Sequence, residues 1–228
     1  MKSIITLILV FSSSFIFSQN IDPNTGSSRL GNLSNMSNFS GGSIVFNKKS
    51  EIKGNIHLFE KWSNTGVINI DGKNYKLLNI NYNMRTDNFE SQVGKDSVFI
   101  LDNSNVNHLY INNKRFENFY FSRINKNKNF EVIHDGKEFK LIKGFEIGVK
   151  YGETDPLMVK KKVDKYFTTK SYYLMRGIDI NDIGLKKKVI LTLFKDKKDL
   201  VGKFVKENKL SYKKDADLKK IFKYYDSL

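Results

Sequence analysis

The sequence predicts an α+β chain that is predominantly β: an antiparallel β-meander, as a curled sheet, half-barrel or sandwich, followed by a C-terminal helical segment. Three observations predict it. Between Ser43 and about Ile180, short alternating apolar and polar runs are cut by turn dipeptides. Proline occurs only twice in 228 residues, so little interrupts strand pairing. After Ile183 the apolar period changes from two to about 3.6, the helical repeat.

The chain opens with the pattern of a cleavable export segment over residues 1–18. Lys2 supplies a positive start, Ile4 to Phe11 is apolar except for Thr6, Ser12 to Ser14 interrupt the run, and Ile16-Phe17-Ser18 ends in a small residue before Gln19. The apolar run is too short to span a hydrocarbon layer about 30 Å thick. No cysteine exists to carry an N-terminal lipid, so the exported chain is expected to be soluble, and periplasmic, outer-membrane-associated or secreted. Residues 19–43 are dense in Asn, Ser and Gly and are expected to form a flexible arm, because they bury too little to offset backbone ordering. A short helical stripe through Leu30, Leu33, Met36 and Phe39 competes with that reading.

The β domain is expected over residues 44–183. Val67 to Ile70, Asp71-Gly72, then Tyr75 to Tyr82 has the form of a β-hairpin, and Val132 to His134, Asp135-Gly136, then Phe139 to Ile142 repeats it 64 residues later. Weaker turns fall at Gly94-Lys95 and Asn112-Asn113, giving four hairpins in series. Gly144, Gly148 and Gly152 punctuate a long strand over Phe139 to Tyr151, where bends or bulges are expected. Lys165 to Arg176 is the last predicted strand. Residues 184–228 hold three apolar stripes: Leu185, Val189, Ile190, Leu193 and Phe194; then Leu200, Val201, Phe204 and Val205, entered through Asp196 as N-cap; then Leu218, Ile221, Phe222 and Tyr225. Asn208 is the expected stop between the second and third. Residues 185–228 carry 14 lysines against six acids, so the sequence predicts a basic outer face on helices docked against the sheet.

Composition excludes several chemistries. Without cysteine there is no disulfide scaffold, thiolate metal site or cysteine nucleophile. No serine lies in a GxSxG context, and Gly41-Gly42 lacks the lysine of a phosphate loop. His57, His108 and His134 show no metal-binding spacing and read as structural or surface histidines; His134-Asp135 is claimed by its hairpin turn. Glu131, Asp135, Glu138 and Glu146 could supply an acid pair for glycosidic hydrolysis, but their separation is a matter of tertiary structure. Trp62 with Phe59, Phe119-Tyr120-Phe121, Tyr172-Tyr173 and Tyr224-Tyr225 could stack on sugar or lipid; strand alternation explains them as core. No catalytic residue, cofactor site or metal site is assigned.

The formal charge of +15, or +14 once Lys2 leaves with the export segment, comes almost wholly from lysine: only five of 39 basic residues are arginine. Arginine reads phosphates and guanines bidentately, so its scarcity argues against nucleic acid and leaves envelope protein, anionic lipid or glycan as partner classes. A lysine-coated solvated surface, with the Asn and Ile content of an AT-rich genome, explains the same charge.

Several blocks carry a resemblance. They are Leu58-Phe59-Glu60-x-Trp62, Gly66-Val67-Ile68-x-Ile70-Asp71-Gly72-Lys73-x-Tyr75, Leu78-Asn79-Ile80-Asn81-Tyr82-Asn83, and Lys206-Glu207-Asn208-Lys209-Leu210 through to Tyr224-Tyr225. Together with the export segment they resemble a family of small uncharacterised exported proteins of the Bacteroidota, over most of residues 56–228. The resemblance implies an envelope or secreted location and no reaction. The expectation is a non-enzymatic binding or structural module of the cell envelope. The alternatives are a periplasmic carrier or sensor of apolar ligands, which needs an enclosed cavity, and a glycan or cell-wall hydrolase, which needs a clustered acid pair.

Overall fold

A computed structural model of the chain describes residues 42–46, 50–152 and 163–228. The export segment and nearly all of the expected arm, including its alternative helical stripe, lie outside the described residues. Among the described residues twelve strands form two antiparallel sheets, neither closed. The smaller has the order β1-β6-β5-β4, from β1 (Gly42–Phe46), β4 (Ile80–Asn83), β5 (Asn88–Gln92) and β6 (Ser97–Leu101). The larger contains β2 (Thr65–Ile70), β3 (Lys73–Leu78), β7 (Val106–Ile111), β8 (Lys114–Phe121), β9 (Lys126–Asp135), β10 (Lys140–Lys150), β11 (Lys165–Arg176) and β12 (Asp179–Asp182). Its order is β12-β11-β10-β9-β8-β7-β2-β3, so β7 to β12 run as an uninterrupted meander.

The turn chemistry explains where hairpins close. Asp71 and Gly72 both have positive φ (49° and 77°), as do Asn112 and Asn113 (49° and 65°), the geometry that matches strand twist in two-residue hairpins. The Asp135-Gly136 turn is wider: β9 ends at Asp135 and Gly136 N–H donates to Phe139 O at 3.2 Å. The predicted strand Tyr75 to Tyr82 is in fact two strands. Asn79 takes φ 53°, a left-handed conformation that Asn tolerates, and the chain turns there from β3 in one sheet into β4 in the other. At this crossing Gly66 allows a close approach, because a Cβ on it would lie 2.9 Å from Ile80 Cγ2 and 3.0 Å from Tyr110 O. The short strand β12, pairing Asp179 to Arg176 and Asp182 to Tyr173, is an element the sequence did not signal.

Among the described residues three α-helices follow: α1 (Lys187–Thr192), α2 (Lys198–Glu207) and α3 (Asp215–Ser227). Asp196 does not cap α2; it sits in a 3-10 turn, and the cap position is Lys197, which makes no side-chain cap bond. Asn208 does end α2. Lys209 takes φ 51°, and the Leu210→Val205 (2.9 Å) and Lys209→Lys206 (3.2 Å) backbone bonds form a Schellman closure. Asp215 and Asp217 occupy the first turn of α3, where the helix dipole favours them.

One face of the large sheet receives two different layers. Tyr82, Phe89 and Leu101 of the small sheet pack with Ile68, Leu109, Phe116 and Phe145. Farther along, Ile133, Phe139, Leu141 and Leu174 meet Ile190, Phe194, Val201, Val205, Leu218, Ile221, Phe222 and Tyr225 of the helical segment. On the opposite face Phe121, Phe130 and Tyr173 meet edge-to-face with centroids 5.3–5.5 Å apart, a favoured aromatic geometry.

Candidate functional site

Between the two layers the sheet face is polar, and ionisable groups from four strands and one helix converge there. Register places Glu131 (β9) beside Lys143 (β10), which lies beside Tyr172 (β11), so all three project from the same face. The first turn of α3 brings Asp215 over them. Lys143, 3% exposed, pairs with Glu131 at 2.6 Å and with Asp215. Glu131, 4% exposed, also pairs with Lys114 at 2.6 Å, and Tyr172 donates to Asp215 at 2.7 Å.

Burial pushes the Asp215 carboxyl up, but hydrogen bonds from Lys143 and Tyr172 and the charges of Lys143 and Lys114 outweigh it and hold the group below its ordinary value. Burial, with the Asp215 hydrogen bond and charge, drives the Tyr172 phenol well above its usual range. Two carboxylates and two ammoniums thus neutralise one another. Beside them a cleft of about 470 Å³ opens to solvent where the start of β8 and the end of β9 meet α3; Lys114, Glu131, His134, Asp135, Asp215 and Lys219 are among its walls.

The cleft gathers two of the four acids named from sequence, and neither is a free acid. Glu131 is held by two lysines; Asp135 is held by Arg115 (3.3 Å) and Lys140 (3.0 Å). Glu138 lies elsewhere, in an exposed pair with Lys195, and Glu146 is exposed on β10. His134 pairs across the sheet–helix boundary with Asp226 at 2.7 Å, not with its neighbour Asp135. His57 pairs with the buried Glu90 at 2.8 Å and packs edge-on to Trp62 (4.6 Å), and His108 rests against Tyr110. Among the described residues no group of three or more His, Asp or Glu is placed to hold a metal ion.

Most of the aromatic clusters are occupied by packing. Phe119 and Phe121 join the core on one face, whereas Tyr120 between them points the other way and is 55% exposed. Tyr173 is core, and Tyr224 stacks on Phe204 at 4.0 Å.

The helical layer presents the other conspicuous surface. A second open cleft, of about 700 Å³, is walled by Lys187, Lys188, Lys195 and Lys198 with Leu191 and Thr192, and by no carboxylate among the described residues. Val189 and Leu200 stand exposed on the same helices. Among the described residues Lys195 and Lys203 are the lysines of α1, α2 and the turn between them that take part in ion pairs. None of the described helices is long and apolar enough to cross a membrane.

The network was not legible in the sequence, since Lys143 and Asp215 are 72 residues apart. The local signal was a lysine set between Leu141-Ile142 and Gly144-Phe145. Comparison of the chain with protein-family models, curated proteins and solved structures finds no match.

Proposed function

We propose that this chain is an exported, non-enzymatic binding module of the cell envelope whose helical layer meets an anionic membrane surface. The observation that carries the reading is the lysine-walled cleft of α1 and α2. Four lysines wall it with no carboxylate among the described lining residues, Lys195 alone of the four being paired, to Glu138, and Val189 and Leu200 stand exposed on the same helices. Lysine heads over apolar stems suit the boundary between headgroups and acyl chains. Export is supported by the pattern of residues 1–18 and by the resemblance described above. The absence of turnover is supported by the charge balance of the polar cleft, whose carboxylates are already committed to lysine and arginine partners. The carrier alternative draws no support from the two described clefts, both open to solvent.

Sedimentation with vesicles tests the membrane reading. The protein is expected to bind phosphatidylglycerol vesicles and not phosphatidylcholine vesicles, with binding lost as salt screens the charge. A lysine near an anionic surface contributes about 1 kcal/mol, so the K187Q/K188Q/K198Q variant should bind about 100-fold more weakly. Equal binding to both vesicle types overturns the reading. So does turnover of an envelope substrate that a single substitution abolishes. Fractionation of native cells tests export: recovery of the uncleaved chain from the cytoplasm refutes it.

A further inference from the structure

At the junction of the two sheets lies a cleft of a different chemistry. It has a volume of about 390 Å³ and is walled by five asparagines, Asn88, Asn103, Asn118, Asn127 and Asn129, with the hydroxyl residues Thr86 and Ser104 beside them. Asn118 and Asn129 are register partners across β8 and β9, and Tyr120 and Asn127 are the next pair along the same face. Directly paired residues place their Cβ atoms about 5 Å apart, so the exposed Tyr120 ring stands at the margin of the amide cluster.

The cluster is held rigidly from beneath. The Asp87 carboxylate accepts from the Asn129 backbone N–H (3.1 Å) and from the Tyr82 hydroxyl, and Asn129 Nδ2 donates to Asp87 O at 2.7 Å. Asn118 Nδ2 donates to Asn129 Oδ1 at 3.1 Å. Asn103 Oδ1 is buried and finds no donor among the described residues, an arrangement that costs free energy until a hydroxyl or water supplies one. Asp102 accepts from Ser104 N–H at 2.9 Å, and Asp87, Asp102 and Lys126 are the charged groups among the walls.

We propose that this cleft binds a neutral saccharide unit of a glycan chain. An asparagine amide offers a donor and an acceptor side by side, which is what a run of sugar hydroxyls requires, each being both. An exposed tyrosine next to it supplies a flat apolar face for the C–H side of the ring, while its hydroxyl donates to Asn125 Oδ1. An apolar ligand would leave the amides unpaired, and an anion would meet the Asp87 and Asp102 carboxylates among the walls. The site is distinct from the membrane-facing helices. Along β9 it uses Asn127 and Asn129, while the helical core begins at Ile133, about 13–20 Å farther along the strand.

The test is titration of the full chain with chitotriose and with cellotriose, followed through side-chain amide NMR signals and calorimetry. Binding of at least one trisaccharide with Kd at or below about 1 mM is expected, with shifts at Asn88, Asn118 and Asn127. Tyr120→Ala and Asn127→Ala both alter exposed side chains, and each should weaken binding at least about tenfold, whereas Tyr120→Phe and Lys126→Gln should stay within about twofold. Circular dichroism separates these effects from unfolding. The proposal is overturned if neither sugar shifts those amides, if Y120A/N127A binds as well as the unaltered chain, or if only an acidic oligosaccharide binds.

Discussion

Replacing Lys143 with methionine removes an ammonium that is 3% exposed and shared by Glu131 and Asp215. Breaking a buried ion pair on one side typically costs about 3–5 kcal/mol, chiefly because the remaining charge is stranded away from water. Here each stranded carboxylate keeps one partner: Glu131 keeps Lys114 at 2.6 Å and Asp215 keeps the Tyr172 hydroxyl at 2.7 Å. Methionine also replaces most of the lysine stem. These features put K143M at the lower end, about 3 kcal/mol. For a chain of this size that lowers Tm by roughly 6–12 °C. Urea unfolding with an unchanged m-value is the assay. K203M, which removes only an exposed pair at 3.9 Å, is the control and should cost less than about 0.5 kcal/mol. The triple variant K143M/E131Q/D215N removes the stranded charges and should recover most of the loss. A K143M cost under about 1 kcal/mol, or a triple variant less stable than K143M alone, would refute the claim that the network is held together by mutual neutralisation.

Two further outcomes follow from the same geometry. Gly66→Ala would place a methyl 2.9 Å from Ile80 Cγ2 and 3.0 Å from a backbone oxygen, so it should cost about 1–3 kcal/mol in urea unfolding. The Asp215 carboxyl is depressed in the folded chain, so the unfolded chain binds its proton more tightly. Its contribution is therefore complete above the unfolded value of about 3.9 and is lost as pH falls through the lower folded value. Stability curves taken across that acid range should fall less steeply for D215N than for the unaltered chain, and parallel curves would contradict the assignment.

The fold was largely readable because its signals are local. Asp71-Gly72 and Asn112-Asn113 marked hairpins since those residues accept positive φ, and Leu218, Ile221, Phe222 and Tyr225 marked a helix because their spacing gives one apolar side. The errors arose where a local signal was outweighed. Asn79 lies inside an apolar run that reads as one strand, and only the second sheet makes a break there favourable. Asp196 has the chemistry of a cap, but the chain enters α2 through a 3-10 turn that leaves the cap position to Lys197. Glu131 and Asp135 were visible as acids, and their neutralisation by Lys114, Lys143, Arg115 and Lys140 was not.

By itself the sequence determined the fold class, the order of strands before helices, and the excess of lysine on the helical segment, because period, turn residues and charge are properties of neighbours in the chain. Tertiary structure alone decided that two sheets form, that the helices and the small sheet share one face of the large sheet, and that the polar seam and the asparagine cleft exist. Those features join residues brought together by sheet register and helix docking, and sequence separation carries no information about which distant partners will meet.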